Sequence, residues 1–238
     1  MKIAFIGNSH ITQLYSNIEN VSDLSIKYNG GVLSLYKIGA SIKGLVNPNS
    51  RLGLKTMIKT FSEINSDYTL VYFLGQVDIE FGYYYKCIKD NIKYDVTEYI
   101  VDLINRYESY LLEQHKDIYI LSINPCVLRN EERLFDICFR EINGNMGYYS
   151  EENDSIKFEN CKDFIDCYSI RYTNNKLFNK HLMDMCKRNN FTYIDFWHLV
   201  EENDTVRDEY NPKNIDHHLL NPNDNIFNFI YSQVSLKD

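Results

Sequence analysis

Met1-Lys2-Ile3-Ala4-Phe5-Ile6-Gly7-Asn8-Ser9-His10 opens the chain with four consecutive apolar residues that run into a glycine and three polar residues. A short apolar run stopped by a turn signal reads as a strand covered on both faces. Behind it, Ile11, Leu14, Tyr15 and Ile18 fall at i, i+3, i+4 and i+7, the spacing of one helical face. The unit is therefore strand, tight turn, helix, and the turn carries the hydroxyl of Ser9.

The same rhythm continues along the chain. Residues 32–38 read as a second strand, and Leu54, Met57, Ile58, Phe61 and Ile64 as the next helical stripe. Residues 68–74 form a nearly all-apolar third strand. Asp95-Val96-Thr97-Glu98 has the pattern of a capping box, opening a helix with Tyr99, Ile100, Leu103, Ile104, Tyr107 and Leu111 inward. Residues 117–123 make a fourth strand, stopped by Asn124-Pro125. Leu177, Phe178, Leu182, Met185 and Cys186 stripe another helix, residues 191–197 give a fifth strand, and 226–234 a last helix. Strands alternating with helices predict an α/β three-layer sandwich around a five-stranded, mostly parallel sheet with right-handed crossovers. A single domain over residues 1–238 is expected. The rhythm breaks only at 126–174, a long polar and acidic stretch containing Tyr148-Tyr149, Phe158 and Phe164. An insertion leaving the carboxyl end of the fourth strand would overhang the sheet edge as a lid or substrate-binding excursion, or run as a passive surface loop.

Composition narrows the classes. The 238 residues carry a net charge of −8. That balance argues against a nucleic-acid partner, which calls for a basic face. No run approaches the roughly 20 apolar residues of a membrane span, and the opening apolar run is too short for a signal-peptide core. The cysteines at 87, 126, 138, 161, 167 and 186 lack CxxC spacing, so free thiols and a cytoplasmic location are expected, with no zinc site.

Three expected strands end in polar, glycine-bearing turns: Gly7-Asn8-Ser9, Gly39-Ala40-Ser41-Ile42-Lys43-Gly44 and Gly75-Gln76-Val77-Asp78. In open α/β sheets these carboxyl ends share one crevice. Asp216-His217-His218, after the fifth strand, returns to the same edge and offers an imidazole with a carboxylate two residues away. A serine nucleophile needs a base, and the base benefits from an orienting acid. Taken singly, each motif has a plainer reading. Ser9 is a good helix N-cap, Asp78 a good loop anchor, and Arg171 a surface cation. Asp216-His217-His218 as a metal pair has no other ligand spacing to support it.

Together, in this order, the four blocks resemble the SGNH hydrolases, also called the GDSL esterase/lipase family, whose sheet is flavodoxin-like. Gly7-Asn8-Ser9 is similar to the first block, where the serine is the nucleophile. Ala40-Ser41-Ile42-Lys43-Gly44 resembles the second, whose glycine amide helps form the oxyanion hole. Gly75-Gln76-Val77-Asp78 occupies the third, and Asp216-His217-His218-Leu219 the fifth, which holds acid and base. The resemblance implies Ser9 as nucleophile, His218 as base and Asp216 as the orienting acid. It implies an oxyanion hole from the amides of Ser9 and Gly44. Two departures stand out. Val77 replaces the asparagine whose side chain donates to the oxyanion, leaving neighbouring Gln76 as a substitute donor. The aspartate also precedes His218 by two residues rather than three; His217 is the alternative base, though adjacent side chains such as Asp216 and His217 rarely converge. Asn8, His10 and Asp78 are expected in supporting positions.

The resemblance implies a serine esterase acting on an O-acyl group, with a small acyl ester or an O-acetylated carbohydrate as substrate and no cofactor or metal. Two further readings are open: an O-acyltransferase using the same triad on a glycan, and a non-catalytic glycan-binding protein on a degenerate hydrolase scaffold, for which Val77 is the best support.

Overall fold

The computed structural model describes residues 1–14, 19–114, 117–138, 161–212, 217–220 and 224–236. Strands β1 (Ile3–Gly7), β2 (Glu19–Asn20), β3 (Val32–Tyr36), β4 (Thr69–Phe73), β5 (Tyr119–Leu121) and β6 (Thr192–Ile194) form one sheet in the order β2-β3-β1-β4-β5-β6. Every neighbouring pair in it is parallel. The five expected strands are all present, and β2 adds a two-residue edge. Without that edge the order is that of a flavodoxin-like doubly wound sheet.

Both faces of the sheet are covered, which explains why the central strands are apolar throughout. Along β1, Ala4 and Ile6 join a core cluster with Ile42, Leu45, Ile58, Phe61, Ile100 and Leu103. These come from α1 (Ile42–Val46), α2 (Leu54–Ile64) and α4 (Val96–Leu112), the helix α3 (Tyr83–Asp90) lying between the last two in chain order. The alternate residues Ile3 and Phe5 pack on the opposite face with Ile11, Leu14, Ile226, Ile230 and Val234. The last three belong to the C-terminal helix Asp224–Ser235. Gly7 ends β1 because nothing larger fits: a Cβ there would run into the carbonyl oxygen of Phe73 on β4. Asp95 caps α4 as expected, accepting the Glu98 amide at 2.9 Å.

The structure departs from the sequence reading in several places. The helix expected after β1 is a single 3-10 turn, Ser9–Gln13, closed by amide-to-carbonyl bonds from Ile11 to Asn8 and from Leu14 to Ile11. Ile11 and Leu14 still face the core, while Tyr15 and Ile18 lie outside the described residues. The excursion expected over 126–174 is structured at both ends. Cys126, Val127 and Leu128 are buried, α5 (Glu131–Asp136) follows, and α6 (Tyr168–Asn189) begins well before its apolar stripe. Residues 139–160, and with them Tyr148, Tyr149 and Phe158, lie outside the described residues. Arg171 is not a surface cation. It is 2 % exposed on α6 and donates to Asp166 O, Cys126 Sγ and Arg129 O.

All six cysteines are free. No helix among the described residues is long and apolar enough to cross a membrane.

Candidate active site

The carboxyl edge of β1 delivers Ser9 directly after Gly7-Asn8. Asn8 is fully buried and fixes this turn. Its Oδ1 accepts the His10 amide at 3.0 Å, and its Nδ2 donates to Ala40 O at 3.3 Å, joining the first turn to the loop after β3. Ser9 is left half-buried, with its Oγ 2.9 Å from Nε2 of His218, 209 residues further along the chain. That contact joins the two motifs the sequence reading paired. Asp216 lies outside the described residues.

What holds His218 there is a pair of residues the sequence reading did not select. Oε1 of Gln13 accepts the amide of Leu219 at 2.9 Å and Nδ2 of Asn124 at 2.8 Å. The Asn124 amide in turn donates to Oε1 of Gln76 at 2.7 Å. A buried amide chain thus hangs the His218 segment from the ends of β4 and β5. Gln13 left one faint signal in the sequence: with Thr12 it is one of two polar residues between Ile11 and Leu14. Asn124 read only as a strand terminator.

His10 is buried completely and lies against both late histidines. Its ring centroid is 4.5 Å from that of His218 and 5.5 Å from that of His217, and the His217 and His218 rings are 4.0 Å apart. Burial, reinforced by the neighbouring imidazoles, holds the His10 pKa well below the ordinary histidine range. Its Nδ1 stands 3.0 Å from Asn8 Oδ1, a pure acceptor, so the neutral ring carries its hydrogen on Nδ1. His217 also packs edge-on against Phe81 at 5.0 Å.

The expected oxyanion donors fare differently. The Gly44 amide is engaged inside α1, donating to the capping hydroxyl of Ser41 at 2.9 Å. Gln76 is buried, and its Nε2 donates to Glu80 Oε1 at 2.5 Å and to Asn124 O at 3.4 Å. Each of these two donors is engaged in an internal bond. The Ser9 amide is the expected donor that remains. Asp78 anchors a loop: Oδ2 accepts the Ile42 amide at 2.7 Å and Oδ1 the Lys43 amide at 3.2 Å, at the start of α1. Burial raises its pKa to about 6, those two amides opposing the shift. Two residues on, burial raises Glu80 to about 7 against bonds from Asn175 and Gln76.

The arrangement is an α/β sheet edge with a hydroxyl hydrogen-bonded to an imidazole, the minimum pairing for an activated oxygen nucleophile. The fold is similar to that of a Bacteroides fragilis protein described as a "putative acylhydrolase", with a TM-score of 0.50 over 99 % of this chain and 85 % of that one. The two are 12 % identical, so the likeness establishes the shared fold alone. No family model and no curated protein matches the sequence.

Proposed function

We propose that this protein is a divergent SGNH-type serine esterase that hydrolyses an O-acyl ester through an acyl-enzyme. The 2.9 Å contact between Ser9 Oγ and His218 Nε2 carries the reading. Ser9 Oγ attacks the acyl carbon as its proton passes to His218 Nε2. The tetrahedral intermediate collapses, the C–O bond to the alcohol breaks, and His218 returns the proton to the departing oxygen. Water then enters by the same route and releases the acid. Asp216 has the role of orienting His218, and the Ser9 amide that of receiving the oxyanion. The name given to the structural neighbour agrees with this class of reaction. Carbohydrate O-acetyl esters are the first substrates to test, with transfer to a glycan hydroxyl as the variant chemistry.

The engaged amides of Gly44 and Gln76, together with Val77, favour a second reading as a non-catalytic binding protein. A fluorophosphonate probe separates the two. The esterase reading expects covalent label on Ser9, and expects Ser9→Ala to lower p-nitrophenyl acetate turnover by at least about 10³-fold with the fold intact. An unlabelled protein, or activity that survives Ser9→Ala, would end it.

A further inference from the structure

The sequence offered Asp216-His217-His218 as a metal pair without a third ligand. The fold supplies one. His10, His217 and His218 each present a ring nitrogen, and the three nitrogens lie within 4.8 Å of one another. Nε2 of His10 is completely buried and makes no hydrogen bond, while Nδ1 is tied to Asn8 Oδ1. A histidine whose outer nitrogen is held by an amide oxygen and whose inner nitrogen keeps its lone pair is set up as a metal ligand.

We propose that His10, His217 and His218 form a binding site for a transition-metal ion of the Zn2+ class, and that its occupation switches off Ser9. Three imidazoles suit Zn2+, Co2+ or Ni2+ rather than Mg2+ or Ca2+, which require oxygen ligands. Nitrogens about 2.0–2.1 Å from a tetrahedral ion stand about 3.3 Å apart, so the rings close by at most about 1.5 Å. His217 and His218 lie outside helix and strand and are only half-buried, so their rings turn about their side-chain bonds while the Leu219 amide stays on Gln13. Inhibition follows from proton counting. A neutral imidazole has one lone-pair nitrogen. If the ion takes Nε2 of His218, the contact with Ser9 Oγ is lost. If it takes Nδ1, Nε2 carries the hydrogen and is unable to accept the Ser9 proton. Only the inhibitory half rests on the esterase reading.

The test adds Co2+ or Zn2+ to the full-length, EDTA-treated protein. The expected result is one equivalent of Co2+ bound with the strong visible absorption of a four-coordinate site, displaced by Zn2+. His217→Phe, which keeps a ring against Phe81, and His10→Phe are each expected to weaken binding at least about tenfold. Zn2+ should suppress ester hydrolysis reversibly, with a midpoint that moves by the same factor in His217→Phe. Because His10 is buried and its replacement can disturb the fold, His217→Phe decides if His10→Phe is unfolded. Absence of stoichiometric Co2+ absorption, or binding unchanged in His217→Phe, would overturn the proposal. So would hydrolysis that continues with the site filled. Absorption at the site without any hydrolysis in the metal-free protein would count against the esterase reading and leave the metal site standing.

Discussion

Ser9 is placed by a strand and needs little help, but His218 sits on an irregular segment and has to be held. Gln13 does this through one oxygen that accepts both the Leu219 amide and Asn124 Nδ2. Gln13→Leu keeps the volume and removes that oxygen, leaving two buried donors without a partner, a loss of about 1–3 kcal/mol for each. Displacement of a catalytic group by about 1 Å costs on the order of 10² in rate. Gln13→Leu is therefore expected to lower kcat about 10–100-fold with little change in KM. Gln13→Glu, which retains an accepting oxygen, should recover most of the loss; steady-state kinetics on the pair checks this, and equal damage in both variants would contradict the positioning role. The meeting of Ser9 with His218 was legible because both stand in short polar motifs at expected strand and loop ends. Gln13 and Asn124 were not, because their bonds span 206 and 111 residues and no local pattern encodes them.

At the scale of elements, the turn Asp78–Gly82 packs against α6 through a polar seam rather than an apolar one. Glu80 Oε1 accepts from Gln76 Nε2 and from Asn175 Nδ2 at 3.0 Å, with Asn179 tied to the Ile123 backbone alongside. This seam hid the start of α6 from the sequence. Its inward residues over the first two turns include Arg171, Asn174 and Asn175, which are polar, and the apolar stripe of Leu177, Phe178, Leu182, Met185 and Cys186 begins only after them. The strands, by contrast, were legible because a sheet covered on both faces selects mostly apolar runs. The seam has a pH signature. Glu80 titrates at about 7 when folded against a reference near 4.5. With the folded value raised, its contribution is fully favourable below pH 4.5 and is lost as pH rises through 7. The difference amounts to about 3 kcal/mol. Glu80→Gln keeps an accepting oxygen and removes the charge. Thermal denaturation of the variant is expected to be flatter between pH 5 and 8, with the larger gain over the parent at pH 8. A variant whose pH dependence matches the parent would show that Glu80 is not the group responsible.

For the whole molecule, the closing segment does two jobs at once. It brings His218 to the sheet edge, and immediately afterwards the helix Asp224–Ser235 covers the face of β1 opposite α2 and α4. The last turn of that helix lies beside Met1, with Ser235 Oγ 3.9 Å from Met1 Sδ. Ile226, Ile230 and Val234 on that helix are essentially without exposure. Burying three such side chains contributes about 5–9 kcal/mol, comparable with the about 5–15 kcal/mol that stabilises an entire domain. A chain ending at Leu220 keeps Ser9, Gln13 and His218 yet is expected to lose cooperative thermal unfolding altogether. His218→Ala, which deletes one half-buried ring, is expected to keep a sharp transition within a few degrees of the parent while losing probe labelling at Ser9. The two variants therefore look alike in an activity assay and differ in calorimetry. A truncated chain that still melted cooperatively would mean that the second core cluster closes without its helix.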